Sequence, residues 1–71
     1  MNTTSISVAV NGQTRQLPHT TTVAQLLTEL DTAGKRVAVE RNGEIVPKSQ
    51  HDSTELSSGD RLEIVIAVGG G

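Results

Sequence analysis

The chain has 71 residues, 34% of them apolar, and contains no aromatic residue and no cysteine. This length allows one small domain and excludes a large enzyme built from many elements. Six basic and eight acidic side chains give a net charge of −2, and the sequence lacks the basic run and the aromatic platform typical of nucleic-acid binding.

The expected location of the protein is the cytoplasm. The lack of cysteine removes thiol nucleophiles and cysteine-based metal sites, and gives no reason to propose an oxidising compartment. Residues Met1 to Ser5 lack the basic-then-apolar order of a signal peptide, and the longest apolar run, Ile64 to Val68, is too short to cross a bilayer. We therefore expect no association with nucleic acid or membrane.

The first predicted element is a hairpin. Over residues 5–10, apolar residues alternate with small ones, and this period of two predicts a strand with one buried face. Asn11-Gly12 is the dipeptide that most readily forms a tight hairpin turn, so Gln13 to Leu17 is expected to return antiparallel to the first strand. Pro18 then suits the edge of a sheet.

A helix is predicted next. Thr22 can cap its first turn, and Gln25 completes a capping box three residues later. Gly34 is the expected stop, which gives a helix of about three turns. One apolar stripe follows helical spacing and consists of Val23, Leu26, Leu27 and Leu30.

The second half of the chain is predicted to contain three strands. Val37 to Val39 leads into a second tight turn at Asn42-Gly43, and a short strand follows over Ile45 to Pro47. Residues 48–58 are polar, with only Leu56 expected to anchor them. The last strand, over residues 62–68, has the strongest apolar alternation in the chain.

These elements predict an α+β fold with one domain over residues 1–68 and a flexible glycine tail over residues 69–71. A single amphipathic helix must bury its stripe, so we expect it to lie across one face of a mixed sheet of four to five strands. The first and last strands have the richest apolar faces and are therefore expected to be parallel central neighbours. Val65 and Ala67 are placed on the opposite face of the sheet.

No internal group predicts catalysis or metal binding. His19 and His51 have neither a cysteine nor a suitably spaced second histidine nearby, and we interpret both as surface residues, with a role at a partner interface as the alternative. No serine lies in a nucleophile elbow, and each internal glycine has a sufficient explanation as a turn or a cap. The carboxylates are dispersed over positions that are mostly predicted to be exposed.

The terminal glycines are the remaining candidate for function. Gly69, Gly70 and Gly71 are consistent with a merely flexible end or an expression scar, but they directly follow the most apolar predicted strand. Glycine can thread narrow passages, and three extended residues reach on the order of 10 Å. The tail could therefore deliver the carboxylate of Gly71 into the active site of another protein, which would have to activate it, most naturally as a mixed anhydride with phosphate.

Five segments of the sequence together form a pattern known from one family: ISVAVNGQTRQL, TVAQLLTEL, VAVERNGEIVPKSQ, GDRLEIVIAV and the terminal GGG. In these segments the sequence resembles the sulfur carriers of thiamin biosynthesis, which are small ubiquitin-like β-grasp proteins. The resemblance covers nearly the whole chain, and its most specific parts are NGEIVP and the GD…GG ending.

The resemblance implies a mechanism for the C-terminus. A partner adenylyltransferase would use ATP and magnesium to convert the carboxylate of Gly71 to an acyl-adenylate, with Gly70 as the other member of the diglycine. Sulfur from cysteine, supplied through a cysteine desulfurase or another persulfide donor, would replace the adenylate. The resulting thiocarboxylate would give its sulfur to thiazole synthase, so the chain would be a co-substrate without a bound cofactor and not an enzyme.

Three alternatives and one surface hypothesis accompany this interpretation. A carrier for molybdopterin or another sulfur-containing metabolite would share the fold and the diglycine end, although the NGEIVP segment and the short length favour thiamin. A protein modifier would join Gly71 to a lysine, and a noncovalent β-grasp module would have an inert tail.

Val65 and Ala67 are hypothesised to dock partner proteins, because they are apolar, lie near the tail and are predicted to face away from the helix.

Overall fold

The structure is a computed structural model that describes residues 5–32 and 35–67. Gly34 and the tail over residues 69–71 lie outside these ranges, as does the predicted boundary between domain and tail. No helix in the described ranges is long and apolar enough to span a membrane. The elements in chain order are β1 (Ser5–Val10), β2 (Gln13–Pro18), α1 (Val23–Glu29), β3 (Val37–Arg41), β4 (Glu44–Ile45), a 3-10 helix (Lys48–Gln50) and β5 (Arg61–Ile66).

The strands form one five-stranded mixed sheet with the order β2-β1-β5-β3-β4. β1 pairs antiparallel with β2 and parallel with β5. β3 pairs antiparallel with both β5 and β4. The α+β class, the mixed sheet and the parallel central pairing of the first and last strands are therefore confirmed.

The core lies between α1 and one face of the sheet. Val23 and Leu26 of the helix are almost fully buried, and Leu30 packs against the core with part of its surface exposed. The predicted helix stripe is therefore confirmed. The buried apolar cluster contains Ile6, Val8, Val10, Leu17, Val39, Leu62 and Ile64 from the strands, Val23, Leu26 and Leu27 from α1, and Val46 and Leu56 from the loops.

The helix begins as predicted. The Gln25 amide donates to Thr22 Oγ1 over 3.2 Å, and the Thr22 amide donates to Gln25 Oε1 over 3.0 Å, so the capping box is present. The next donors of the first turn find acceptors in the loop after the 3-10 helix. Val23 N donates to the Thr54 carbonyl over 3.0 Å, and Ala24 N donates to the His51 carbonyl over 2.9 Å.

The helix ends earlier than predicted. It has seven residues, about two turns, and closes before it reaches Gly34. Asp31 adopts a left-handed φ of 61°, and both the amide and the hydroxyl of Thr32 donate to the Leu27 carbonyl, over 3.1 Å and 2.8 Å. These bonds satisfy a carbonyl at the helix end in the manner of a Schellman motif, here without a glycine.

Both predicted Asn-Gly turns are present. Asn11 and Gly12 have φ values of 51° and 84°, and Asn42 and Gly43 have φ values of 53° and 86°. Two successive positive φ angles are the signature of the tight turn that matches the twist of a hairpin. Each turn therefore joins its strands with the geometry that the dipeptide favours.

The asparagine side chains of these turns also bind β5. Asn11 Oδ1 accepts from Ile64 N over 2.8 Å, and Asn11 Nδ2 donates to the Ile64 carbonyl over 3.1 Å. Asn42 Oδ1 accepts from Arg61 N over 2.9 Å on the other side of the strand. The Asn11 amide thus continues the ladder where the backbone of β1 turns away.

Substitution of Asn11 by glycine separates its role in the tight turn from its side-chain hydrogen bonds to Ile64. Glycine keeps the positive φ without a steric cost, so the turn alone predicts no loss of stability. Loss of both bonds to the Ile64 backbone predicts a decrease of about 1–3 kcal/mol in the free energy of unfolding, measured by urea denaturation. Asn11→Asp keeps the acceptor and loses the donor, so its stability is expected to lie between the two. Parental stability of Asn11→Gly would contradict the assignment.

Asp60 forms a buried junction just before β5. The Asp60 side chain is 8% exposed, and Oδ2 accepts from Ser57 N over 2.8 Å and from Arg41 Nε over 2.9 Å. Oδ1 accepts from Asn42 Nδ2 over 3.1 Å. Burial by itself raises the pKa of Asp60, but the hydrogen bonds from Ser57, Asn42 and Arg41 and the charge of Arg41 outweigh it and hold this pKa below its ordinary value.

The depressed pKa of Asp60 predicts a specific loss of stability in acid. The folded-state pKa lies below the unfolded value of about 3.9, so ionised Asp60 contributes stability that is present above about pH 4 and is lost as the pH falls through the folded pKa. Asp60→Asn is expected to be less stable at pH 7 and to lose less stability between about pH 5 and pH 2, measured by thermal unfolding. The matched control, Asp52→Asn, removes an exposed carboxylate, and an equal change in acid stability for the two variants would contradict the assignment to Asp60.

Candidate functional site

The described chain ends at a fixed point on the sheet, next to the glycines that the sequence singles out. Gly69, Gly70 and Gly71 themselves lie outside the described residues. Ala67 N donates to the Arg36 carbonyl over 2.8 Å, one position beyond the last paired residues of β5 and β3. The backbone of Ala67, the last described residue, is therefore held by the segment just before β3.

β5 projects beyond the hairpin of β1 and β2. On that side only Arg61 and Leu62 pair with β1, whereas the pairing with β3 continues along β5 to Ile66. The Asn11 amide extends the β1 side as far as Ile64. Ile66 is therefore 44% exposed, although strand alternation places it on the same face as buried Ile64.

The sheet face opposite α1 exposes apolar side chains beside the end of β5. Val65 is 62% exposed and Ile45 is 63% exposed, and Ala67 is also exposed. Val65 pairs with Ala38, and Ile45 pairs with Glu40, which pairs in turn with Glu63. We call the surface formed by these paired residues the outer face; it consists of Ala38, Glu40, Ile45, Glu63 and Val65.

Sequence reasoning identified only part of this surface. The exposure of Val65 and Ala67 agrees with their predicted placement, and their role in docking stays a prediction. Ile45 was missed because β4 is only two residues long and shows no alternation. The available signal was its position next to Val46, which is buried, because adjacent residues of an extended segment point to opposite sides.

Two carboxylates face each other on the outer face. Glu40 and Glu63 are direct partners in the register of β3 and β5, and both are exposed. Like charges directly opposite each other destabilise a sheet. A local conflict of this kind is typical of surfaces that serve a function besides folding.

The two histidines have different environments. His19 is exposed, as predicted. The prediction that His51 is a surface residue is wrong, because it is 8% exposed and its Nε2 lies 3.1 Å from the Val46 carbonyl. A carbonyl can only accept, so Nε2 carries the hydrogen. The 3-10 helix before His51 turns the chain toward α1, where the His51 carbonyl binds Ala24 N.

The described residues combine an exposed apolar surface with buried polar groups that are already hydrogen-bonded. Among residues 5–32 and 35–67, no three histidine, aspartate or glutamate side chains are grouped so that they could hold a metal ion. The buried polar groups Asp60 and His51 are both engaged in hydrogen bonds that stabilise loops. What the structure brings together is the end of β5, the exposed apolar part of the outer face and Ala67, the last residue described before the glycines.

Comparisons with known proteins agree on one family. The sequence model of the ThiS family matches residues 8–71. The chain is 44% identical over 52 residues to the sulfur carrier protein ThiS of Bacillus subtilis, and this match covers 73% of this chain and 79% of that protein. It is 46% identical over 66 residues to a thiazole synthase of Paramagnetospirillum magneticum, and this match covers 93% of the chain but only 20% of the synthase.

A solved structure confirms the fold at useful sequence identity. The crystal structure of the thiamine biosynthesis protein ThiS of Geobacter metallireducens superposes with a TM-score of 0.78 and 32% identity, covering 93% of this chain and all of that one. Together with the family match through residue 71, this similarity confirms the resemblance seen in the sequence. The chain therefore belongs to the ThiS family.

Proposed function

We propose that this chain is a sulfur carrier for thiazole formation in thiamin biosynthesis, with the C-terminal carboxylate of Gly71 as the group that receives sulfur. The observation that carries the proposal is the ThiS-family match, which extends through Gly71. A relative named as a sulfur carrier and a solved relative named for thiamine biosynthesis support the same assignment.

The chemistry requires an activating partner. A carboxylate resists nucleophiles because its charge is delocalised and its leaving group is poor. A partner adenylyltransferase with ATP and magnesium would let the carboxylate oxygen of Gly71 attack the α-phosphorus and expel pyrophosphate. The terminal sulfur of a persulfide, formed by a cysteine desulfurase or another donor, would then expel AMP, and thiol reduction of the sulfur–sulfur bond would leave the thiocarboxylate.

The composition of the chain fits a mechanism in which partner proteins supply both the activation and the sulfur. It contains no cysteine, so it cannot form a persulfide of its own and must receive sulfur from another protein. A thiocarboxylate keeps reduced sulfur attached to a protein and avoids release of sulfide. The chain would therefore act as a co-substrate that presents one end, while the partners bind ATP and magnesium.

Thiazole synthase is the proposed acceptor. The thiazole synthases of Paramagnetospirillum magneticum and Magnetococcus marinus each contain a segment similar to this chain, which forms 20% of either protein. A carrier-like segment within the polypeptide of a synthase supports a working partnership between the two activities.

The outer face is the proposed docking surface for these partners. Val65 and Ala67 lie beside the end of β5, and Ile45 and Ala38 extend the exposed apolar area across β3 and β4. Burial of such side chains provides association free energy at about 25 cal/mol per Å², while the Glu40–Glu63 pair would contribute charge specificity. A partner docked here lies beside Ala67, the last described residue before the glycines.

Mass spectrometry of the intact chain tests the proposed chemistry. After incubation with ATP, magnesium, the cognate adenylyltransferase, a cysteine desulfurase and cysteine, the chain should gain the mass difference of one sulfur for one oxygen. Fragmentation should locate the change at Gly71.

Deletion of Gly71 provides the matched control. The shortened chain should unfold at the parental temperature, because terminal residues contribute little to packing, and it should not accept sulfur. Sulfur acceptance by the shortened chain would contradict the assignment of Gly71.

Other products from the parental chain would indicate the alternative functions. A lysine conjugate would indicate a protein modifier. A thiocarboxylate that another sulfur pathway consumes in preference to thiazole synthase would indicate a carrier for a different metabolite.

Substitution of Val65 tests the docking surface. Val65→Asp places a charge in the apolar area and is expected to raise the KM of the chain for adenylation roughly tenfold, the equivalent of about 1.4 kcal/mol of lost association, while kcat stays near the parental value. Thr14→Asp places the same charge on the edge strand β2 and should leave KM within about twofold of the parental value. Equal KM values for the two variants would exclude Val65 from the interface.

A further inference from the structure

A groove on the helix side of the molecule concentrates positive charge. It has a volume of about 670 Å³ and lies between α1, residues 35–37 and the 3-10 helix with the residues after it. Lys35, Arg36 and Lys48 line it, and the only carboxylate in its lining is Asp52. We call this surface, defined by the three cations, the basic groove.

The charge of the basic groove opposes that of the whole chain. The groove holds three of the six lysine and arginine residues of a chain whose net charge is −2. Lys35, Arg36 and Lys48 are all exposed, and none of them forms an ion pair with another described residue. Three hydrated cations in one groove create a positive potential that attracts an anionic partner.

The floor of the basic groove is apolar. Leu27 and Val37 both line it; Leu27 is buried, and Val37 packs against the core with part of its surface exposed. Cations around an apolar floor fit a segment in which an apolar side chain lies between carboxylates. The chain lacks phosphate-binding glycine loops and aromatic residues, so the groove has neither a backbone cradle for phosphates nor a platform for a base.

The basic groove begins where the chain leaves the sheet. The Arg36 carbonyl accepts from Ala67 N over 2.8 Å, and Val37 pairs with Ile66. The outer face lies on the opposite side of the same strands. A partner that takes Gly71 into its active site must bring the rim of that site close to Ala67. The rim is then within reach of both the outer face and the basic groove.

We propose that the basic groove docks an acidic segment, with an apolar residue at its centre, from the active-site rim of the adenylyltransferase. This inference rests on the proposed function. The activating partner is favoured because its active site holds ATP, a polyanion that repels the anionic C-terminus. Pairing of the groove cations with carboxylates of the rim supplies an attraction that offsets this repulsion, and the separation of the basic groove from the acidic Glu40–Glu63 pair orients the chain during the encounter.

Charge reversal at one groove position tests the proposal. Lys48→Glu is expected to raise the KM of the chain in ATP–pyrophosphate exchange roughly tenfold at low salt with kcat unchanged, and to weaken the dependence of KM on salt. Arg15→Glu is the matched control, because it makes the same change in net charge on β2, outside the groove lining. Its KM should change by less than about twofold.

A complementary substitution in the partner identifies the acidic segment. Glutamate-to-lysine substitution at the adenylyltransferase rim should restore a low KM for Lys48→Glu and raise KM for the parental chain. Lys48→Gln neutralises the charge without reversing it and is expected to show a smaller increase in KM. It replaces Lys48→Glu in the test if circular dichroism shows that Lys48→Glu does not fold.

Different failures have distinguishable results. Equal KM increases for Lys48→Glu and Arg15→Glu would assign the effect to net charge and overturn the basic groove as a docking site. A change confined to the KM for ATP would indicate nucleotide binding and overturn it as well. Absence of exchange with the parental chain would overturn the proposed function itself.

Discussion

The hydrogen bonds that polar side chains make around β5 are the constraint on which the arrangement of the molecule depends. A core without aromatic residues offers modest apolar area for holding a central strand. Asn11 binds the Ile64 backbone on one side of β5, and Asn42 binds the Arg61 backbone on the other. Asp60 joins the start of the strand to Arg41. These contacts define where the strand begins and how far it extends past β1.

The placement of β5 in turn determines what surrounds the last described residues before the glycines. Because the strand extends past β1, Ile66 is exposed near its end, whereas Val65 is exposed on the outer face, which α1 does not cover. The outer face and the basic groove lie on opposite sides of this end of β5. One side is apolar with an acidic pair, and the other is basic with an apolar floor. A partner that contacts both surfaces can align the tail without any catalytic group on the carrier.

Local signals predicted most of the fold, and long-range contacts explain what they missed. The Asn-Gly turns, the capping box and the alternation of β5 depend on neighbouring residues, so they could be read from sequence. The end of α1 depends on the left-handed conformation of Asp31, and the burial of His51 depends on packing against α1. Asn11 and Ile64 are 53 positions apart, beyond the reach of any local pattern. The tail was singled out by composition and position, whereas Ile45 and the basic groove required the assembled sheet.

The parallel pairing of β1 with β5 has a consequence for biosynthesis. A ribosome must release almost all of the described residues before the first strand can meet its central neighbour, so the sheet closes late. A truncated or locally unfolded chain lacks both the outer face and the basic groove, even if its glycines are intact. Partner enzymes that depend on those surfaces would therefore discriminate between mature and incomplete carriers, and a folding checkpoint would be built into the order of the strands.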